Sequence, residues 1–200
     1  RPDALDVAYD AGVRLLTLTW NYRSRFGCSS AVNQEEGLTD DGGQLVRDCV
    51  DKGIIVDVSH LSERGFWDVC EIIDGPFVAS HSDSRALCRH ARNLTDAQFA
   101  EIVRRGGLVG INLYAPFLVR QGGAVLDDVI EHIEHFLGMS GEKCIALGCD
   151  FDGCDELPAG MDGLKDLYQL ADRMLARGYR QTVVDDLFYN NAYAFIQKML

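Results

Sequence analysis

The 200-residue sequence is short of positive charge, of long apolar runs and of closely spaced cysteine, and each shortage closes off a class of function. Nineteen Lys and Arg stand against 31 Asp and Glu, a net charge of −12, and no basic run is long enough to follow a phosphate backbone. Nucleic acid is not expected as a partner. The longest apolar stretches, such as GLVGINLYAPFLV at 107–119, fall short of the roughly 20 residues of a spanning helix and contain Asn112 and Pro116. Neither a membrane segment nor a signal peptide is expected. Seven cysteines, at 28, 49, 70, 88, 144, 149 and 154, form no CxxC pair and are odd in number, which argues against a disulfide framework and for a reducing, cytoplasmic setting. Cys149 and Cys154 flank an acidic loop, but with no third ligand nearby they read as small apolar filler.

What is present is an alternation. Short β-branched or apolar runs at 13–19, 54–59, 77–80, 108–113 and 144–149 predict five strands. Segments of helical period fall near 40–52, 62–73, 95–105, 126–137, 164–177 and 182–198. Thr39, Ser62 and the Thr95/Gln98 capping box mark helix starts, and Gly53, Gly106 and Gly178 mark helix ends. Repeated βα units predict a parallel sheet covered by helices. No Gly/Ser- or Pro-rich linker interrupts residues 1–200, which read as a single domain.

Polar residues gather where these strands end. Thr19-Trp20-Asn21, His60, His81 and Asp150-Phe151-Asp152 close four of them, and Asn112 and Tyr114 close the other. Polar groups recruited at every strand top suit an active site on the C-terminal face of a (β/α) barrel better than a doubly wound sheet, which has no need of them all. His60 alone could be a histidine bonded to a nearby carbonyl. His81 repeats the arrangement one βα unit later, and adjacent parallel strands lie ~4.8 Å apart, so the two imidazoles can reach one metal ion. Asp150, in LGCDFDG, could ligate or move protons beside metal-bound water, or belong to a plain Asp-Gly turn. Arg85, Arg89, His90 and Arg92 form a basic loop in an acidic chain, suited to an anionic substrate end or to pairing with nearby acids. His132 and His135 are spaced to share zinc on a helix, but that helix belongs to the outer ring, so they read as structural.

Five segments together resemble the renal (membrane) dipeptidase family of zinc metallopeptidases: GVRLLTLTWN, GLTDDGGQLVRDCVDKGIIVDVSHLS, GPFVASHSDSRALCRHARNLTD, GGLVGINLY and LGCDFDG. They occur in order over nearly the whole chain. The resemblance implies an α/β fold, a partial (β/α)8 TIM barrel comprising approximately strands four to eight with their helices. It implies a binuclear zinc site bridged by a glutamate and a hydroxide, and hydrolysis of dipeptides. By position, His60 and His81 resemble ligands of the second zinc, Asp150 the residue that handles the proton, and Arg92 the arginine that grips the substrate carboxylate. Asn93, Trp20 and Tyr114 join Arg92 as substrate-binding candidates. Trp20 stands where the family has a histidine that stabilises the tetrahedral intermediate; an indole donates a hydrogen bond but carries no charge. The family's His-x-Asp pair and bridging glutamate belong to an N-terminal part, and Arg1 would open inside the helix before strand four. Glu35 and Glu36 match no family motif and are not read as the bridge. Three outcomes stay open: a dipeptidase, another amidohydrolase-type activity on the same metals, or an incomplete chain that needs a separate N-terminal half or pairs as a homodimer.

Overall fold

A computed structural model of the protein describes residues 4–200. Arg1 lies outside the described residues, but the helix expected around it is present as α1 (Ala4–Asp10). Five parallel strands follow: β1 (Leu15–Thr17), β2 (Ile55–Asp57), β3 (Val78–Ala79), β4 (Leu108–Asn112) and β5 (Ile145–Cys149). They pair in strict chain order, β1 to β5. A doubly wound sheet reverses its strand order at a switch point and a barrel segment does not, so the order is that of a (β/α) barrel.

The curvature agrees. In a flat sheet, alternate strands stand about 9.5 Å apart, twice the neighbour spacing. Here a methyl placed on Gly148 of β5 would lie 2.0 Å from the Ser80 carbonyl oxygen at the end of β3, and one on Gly110 of the intervening β4 would lie at the same distance. The sheet folds inward so sharply that β3 reaches β5 across two glycines.

Helices α2 (Asp40–Lys52), α3 (Glu63–Ile72), α4 (Asp96–Arg104) and α6 (Leu126–Gly138) connect the strands, with a short α5 (Ala115–Leu118) before the last of them. The expected caps form. Thr39 accepts from Gly42 N–H, Ser62 from Gly65 N–H, and Thr95 and Gln98 close a reciprocal box. Gly53 ends α2 at φ 71°, a left-handed value that a side chain resists. After β5 the chain makes α7 (Leu167–Ala176), α8 (Gln181–Asp185) and α9 (Asn191–Met199). A π-turn at Asp186–Asn190 divides what the sequence period predicts as one helix at 182–198. One contiguous apolar cluster runs from Leu5 to Leu187, with Phe99 of α4 and Phe136 of α6 stacked at 4.0 Å. Among the described residues no helix is long and apolar enough to cross a membrane. The β1 edge is the poorly covered one, with Leu15 43% exposed.

Gly148→Ala is expected to lower stability by at least about 1–3 kcal/mol, the usual overpacking cost, because the obstructing atom is backbone and cannot rotate away. Gly123→Ala, where nothing lies within 4 Å, is the matched control and should be near neutral. Urea midpoints of the two variants decide it; equal midpoints would contradict the sharp inward fold at β3–β5.

Candidate metal and substrate site

At the end of β2 the chain turns sharply. His60 takes φ 69°, a region unfavourable for a side-chain-bearing residue. The loop after β1 holds it there: Ser30 N–H donates to the His60 carbonyl (2.8 Å) and Ser62 N–H to the Cys28 carbonyl (3.0 Å). The ring is aimed by Asn21, whose Oδ1 lies 2.9 Å from His60 Nδ1. One strand further on, His81 is fixed by its main-chain N–H donating to Ser59 Oγ (3.0 Å), with its Nδ1 2.7 Å from Ser80 Oγ. The two Nε2 atoms meet at 2.8 Å.

That meeting is the central fact of the site. Asn21 Oδ1 is an acceptor, so His60 Nδ1 carries the proton and its Nε2 is bare. Burial, then the Arg92 guanidinium and His81, push the His60 pKa down to about 3. His81 is also lowered, by burial and then Arg92, with Asp57 and Asp150 opposing. Neither ring is an imidazolium at neutral pH. Nitrogens sharing one tetrahedral zinc at ~2.0–2.1 Å stand roughly 3.3 Å apart. The observed pair is near that spacing, so the residues present fit two ligands of one ion. Among the described residues no group of three or more His, Cys, Asp or Glu forms a fuller metal site.

Behind the histidines lies a carboxylate that sequence reasoning did not single out. Asp57, 1% exposed, accepts from Ser59 and Ser80 N–H on Oδ1 (3.0 and 2.9 Å) and from the Thr17 and Ser80 hydroxyls on Oδ2 (2.8 and 2.6 Å). A second chain crosses β3, β4 and β5. Asp83 Oδ1 accepts from Asn112 N–H (3.1 Å), and Asn112 Nδ2 donates to Asp150 Oδ2 (3.3 Å). Burial holds the Asp83 carboxyl well above its ordinary value, and its Oδ2 has no partner. Asp150 itself sits at φ 64°, and its carboxylate folds over Gly153, where a methyl would lie 2.3 Å from Oδ1. The signal for Asp57 was available: an acid inside an otherwise apolar strand, IIVDV.

Arg92 is 6% exposed. Its Nη2 donates to the His81 carbonyl (3.3 Å), its Nε is buried without a partner, and the guanidinium lies 5.6 Å from the Phe117 ring centre. Burial lowers its pKa to about 10, opposed by Asp57, Asp150 and Asp83, so it stays charged at neutral pH. Tyr114 packs edge-on against Phe117 at 4.9 Å, which brings it to the same neighbourhood. Asn93 is turned inward. Its amide donates to the carbonyls of Ser84, Cys88 and Phe117 (3.5, 2.9 and 2.7 Å), so its hydrogens hold the Arg92 loop. Trp20 is 62% exposed and packs edge-on against Tyr22, next to the Asn21 that aims His60.

Other candidates stay outside this constellation. His132 is buried in α6, its Nδ1 accepting from Ser84 N–H and its Nε2 donating to the Leu118 carbonyl, both at 3.0 Å. His135 pairs with Asp96 at 2.8 Å. Both spend their ring nitrogens on partners other than His60 and His81. Burial pushes the Cys149 thiol up to about 11 and, together with Asp150, Cys154 up to about 12, so neither is a thiolate at neutral pH. Glu36 is paired with Arg23 and accepts from Asn33, and Glu35 is exposed.

Residues 1–199 match the membrane dipeptidase family, peptidase family M19. An uncharacterised protein from Klebsiella pneumoniae, encoded in the pqqA 5′ region, is 37% identical over 199 residues, covering 94% of this chain and 72% of the relative. A metallo-peptidase from Rhodobacter sphaeroides, crystallised with a phosphinate mimic of the dipeptide L-Ala-D-Ala, superposes with a TM-score of 0.92 at 33% identity, over 99% of this chain and 59% of that one. A second solved structure, described as a dipeptidase of family M19, gives a TM-score of 0.92 at 33% identity, over 98% and 61%. The chain thus spans about six tenths of the solved structures it matches. The sequence match and the shared fold agree: this chain belongs to the membrane dipeptidase family, peptidase family M19.

Proposed function

We propose that the chain forms part of a zinc-dependent dipeptidase and supplies one side of its active site. The observation that carries this reading is the approach of Nε2 of His60 and Nε2 of His81, at the tops of adjacent strands, to 2.8 Å. Imidazole nitrogen is a zinc ligand, and two of them this close can share one ion. His60 and His81 would hold the ion, which supplies Lewis acidity and a water acidified toward neutral pH.

The chain's own residues do the rest. Arg92 binds the free carboxylate of the dipeptide through guanidinium donors not spent on His81. The nearby carboxyl groups, Asp57 first, oppose the effect of burial on Arg92, so the guanidinium keeps the charge that this anion meets. Asp150 keeps Oδ2 on Asn112, which leaves Oδ1 to take a proton from the attacking water and return it to the leaving amine. Tyr114 and the Trp20 indole form the polar and apolar rim against which the substrate side chains rest. Asn93 acts one step back, by holding the loop that carries Arg92.

Two histidines fill half a four-coordinate shell. We place the remaining ligands outside this chain, in the share of the longer relatives that it does not span, whether on a longer polypeptide, a separate N-terminal half or a second copy. A neutral lactone or cyclic amide would leave Arg92 without a partner, which favours dipeptides over the other amidohydrolase chemistries. Seven free thiols suit a reducing, cytoplasmic compartment.

Two outcomes test the reading. Amino-acid release from dipeptides, with zinc content measured alongside, should be absent for residues 1–200 alone and present when the rest of the barrel is supplied. Comparable turnover by the short chain would show that ligands within it complete the site. In the complete enzyme, Arg92→Ala should raise KM for dipeptides roughly tenfold to a hundredfold, the equivalent of a charged hydrogen bond of about 1.5–3 kcal/mol. An equal loss on a dipeptide amide, which lacks the carboxylate, would remove Arg92 from that role.

A further inference from the structure

We propose that Asp57, acting through the Ser80 hydroxyl, is a positioning residue that sets the tautomer of His81 and keeps its Nε2 a bare lone-pair donor. The proposal rests on the metal reading above only for what that donor meets. Its basis is a proton count. An ionised carboxylate has about four lone-pair sites and no proton to give. Asp57 fills all four, with two main-chain N–H groups on Oδ1 and two hydroxyls on Oδ2.

Ser80 has one hydroxyl proton and three oxygen or nitrogen neighbours: Asp57 Oδ2 at 2.6 Å, His81 Nδ1 at 2.7 Å and Ser59 Oγ at 3.4 Å. The shortest contact is to the charged acceptor, and a charged hydrogen bond is the stronger claim on the proton. Once it is given to Asp57, the Ser80 oxygen can only accept. His81 Nδ1 must then carry the imidazole proton and donate it, which leaves Nε2 bare. Asn21 does the same for His60 from the opposite side. The same carboxylate also fixes where His81 begins, because Asp57 holds Ser59 and Ser80 N–H while Ser59 Oγ receives the His81 N–H. Metal-binding histidines depend on such outer partners, whose loss typically weakens binding about 10–100-fold.

Replacing the carboxylate by an amide reverses the count. In Asp57→Asn one side-chain atom is a donor; facing the two hydroxyls, it would donate to Ser80 and turn the Ser80 proton toward His81 Nδ1. His81 would then switch to the Nε2–H form, with no change of size at either position. Long-range 1H–15N correlation spectra of the metal-free protein at neutral pH distinguish protonated from bare ring nitrogens. The expected result is Nδ1–H for His81 in the parent and in Ser80→Thr, and Nε2–H in Asp57→Asn. Ser80→Ala, which deletes only the acceptor, should lower the Nδ1–H population and serves if Asp57→Asn does not fold. Zinc affinity, read by chelator competition, should fall about 10–100-fold in Asp57→Asn and Ser80→Ala and be retained in Ser80→Thr. An Nε2–H tautomer in the parent, or an unchanged tautomer in both Asp57→Asn and Ser80→Ala, would overturn the proposal. A parent protein with the Nδ1–H form that nevertheless binds no zinc would uphold this tautomer relay while removing the metal reading.

Discussion

A carboxylate can be buried at the end of a strand only if its lone pairs are met, and at Asp57 meeting them organises the top of the sheet. Thr17 on β1, Ser59 beyond β2 and Ser80 beyond β3 are all drawn to one acceptor. The strands are therefore tied together at their C-terminal ends by side-chain hydrogen bonds as well as by the ladder. From there the consequences run outward. Ser59 and Ser80 fix His81, and the turn that follows Ser59 puts His60 opposite it. An apolar residue at 57 could fill the space, but Ser59, Ser80 and Thr17 would lose their common anchor.

The backbone bears the cost of this arrangement in two places. His60 and Asp150 both have left-handed φ values, and Cys149 beside Asp150 stands at φ 23°. Each such residue costs of order 1–3 kcal/mol and persists only where neighbours over-determine it. The neighbours are present: the Ser30–His60 and Cys28–Ser62 main-chain bonds hold the first turn, while the Asn112 amide and the Gly153 turn hold the second. A register shift between Ile111 and Asn112, where β4 meets β5, falls at the same level of the sheet. Three irregularities at one end of an otherwise regular parallel sheet mark the end where side chains had to be aimed rather than merely packed.

Much of this was legible in the sequence. All five strands lie within their expected segments, because a β-branched run bounded by turn residues is a local signal. The observed strands are shorter, since residues such as Ser59 and Ser80 spend their N–H groups on Asp57 instead of a neighbouring strand. His60 and His81 stood out because the same pattern, an apolar strand capped by histidine, occurs twice in succession. What stayed hidden depends on distant partners: Thr17 and Asp57 are 40 positions apart, Asp83 and Asn112 are 29 apart. Asn93 shows the limit most clearly. Its adjacency to Arg92 suggested a shared role toward substrate, yet neighbouring side chains need not face the same way, and its amide turns to three main-chain carbonyls. No pattern of residue types could reveal that Arg92 is buried with an unpartnered Nε.

The central claim is that His60 and His81 present two bare nitrogens to one ion. It is tested most directly by anomalous diffraction at the zinc edge from crystals of the complete enzyme grown with zinc. The account predicts an anomalous peak bonded to Nε2 of both histidines at about 2.0–2.1 Å. Zinc bound elsewhere, with the two imidazoles joined by a hydrogen bond between their Nε2 atoms, would contradict it.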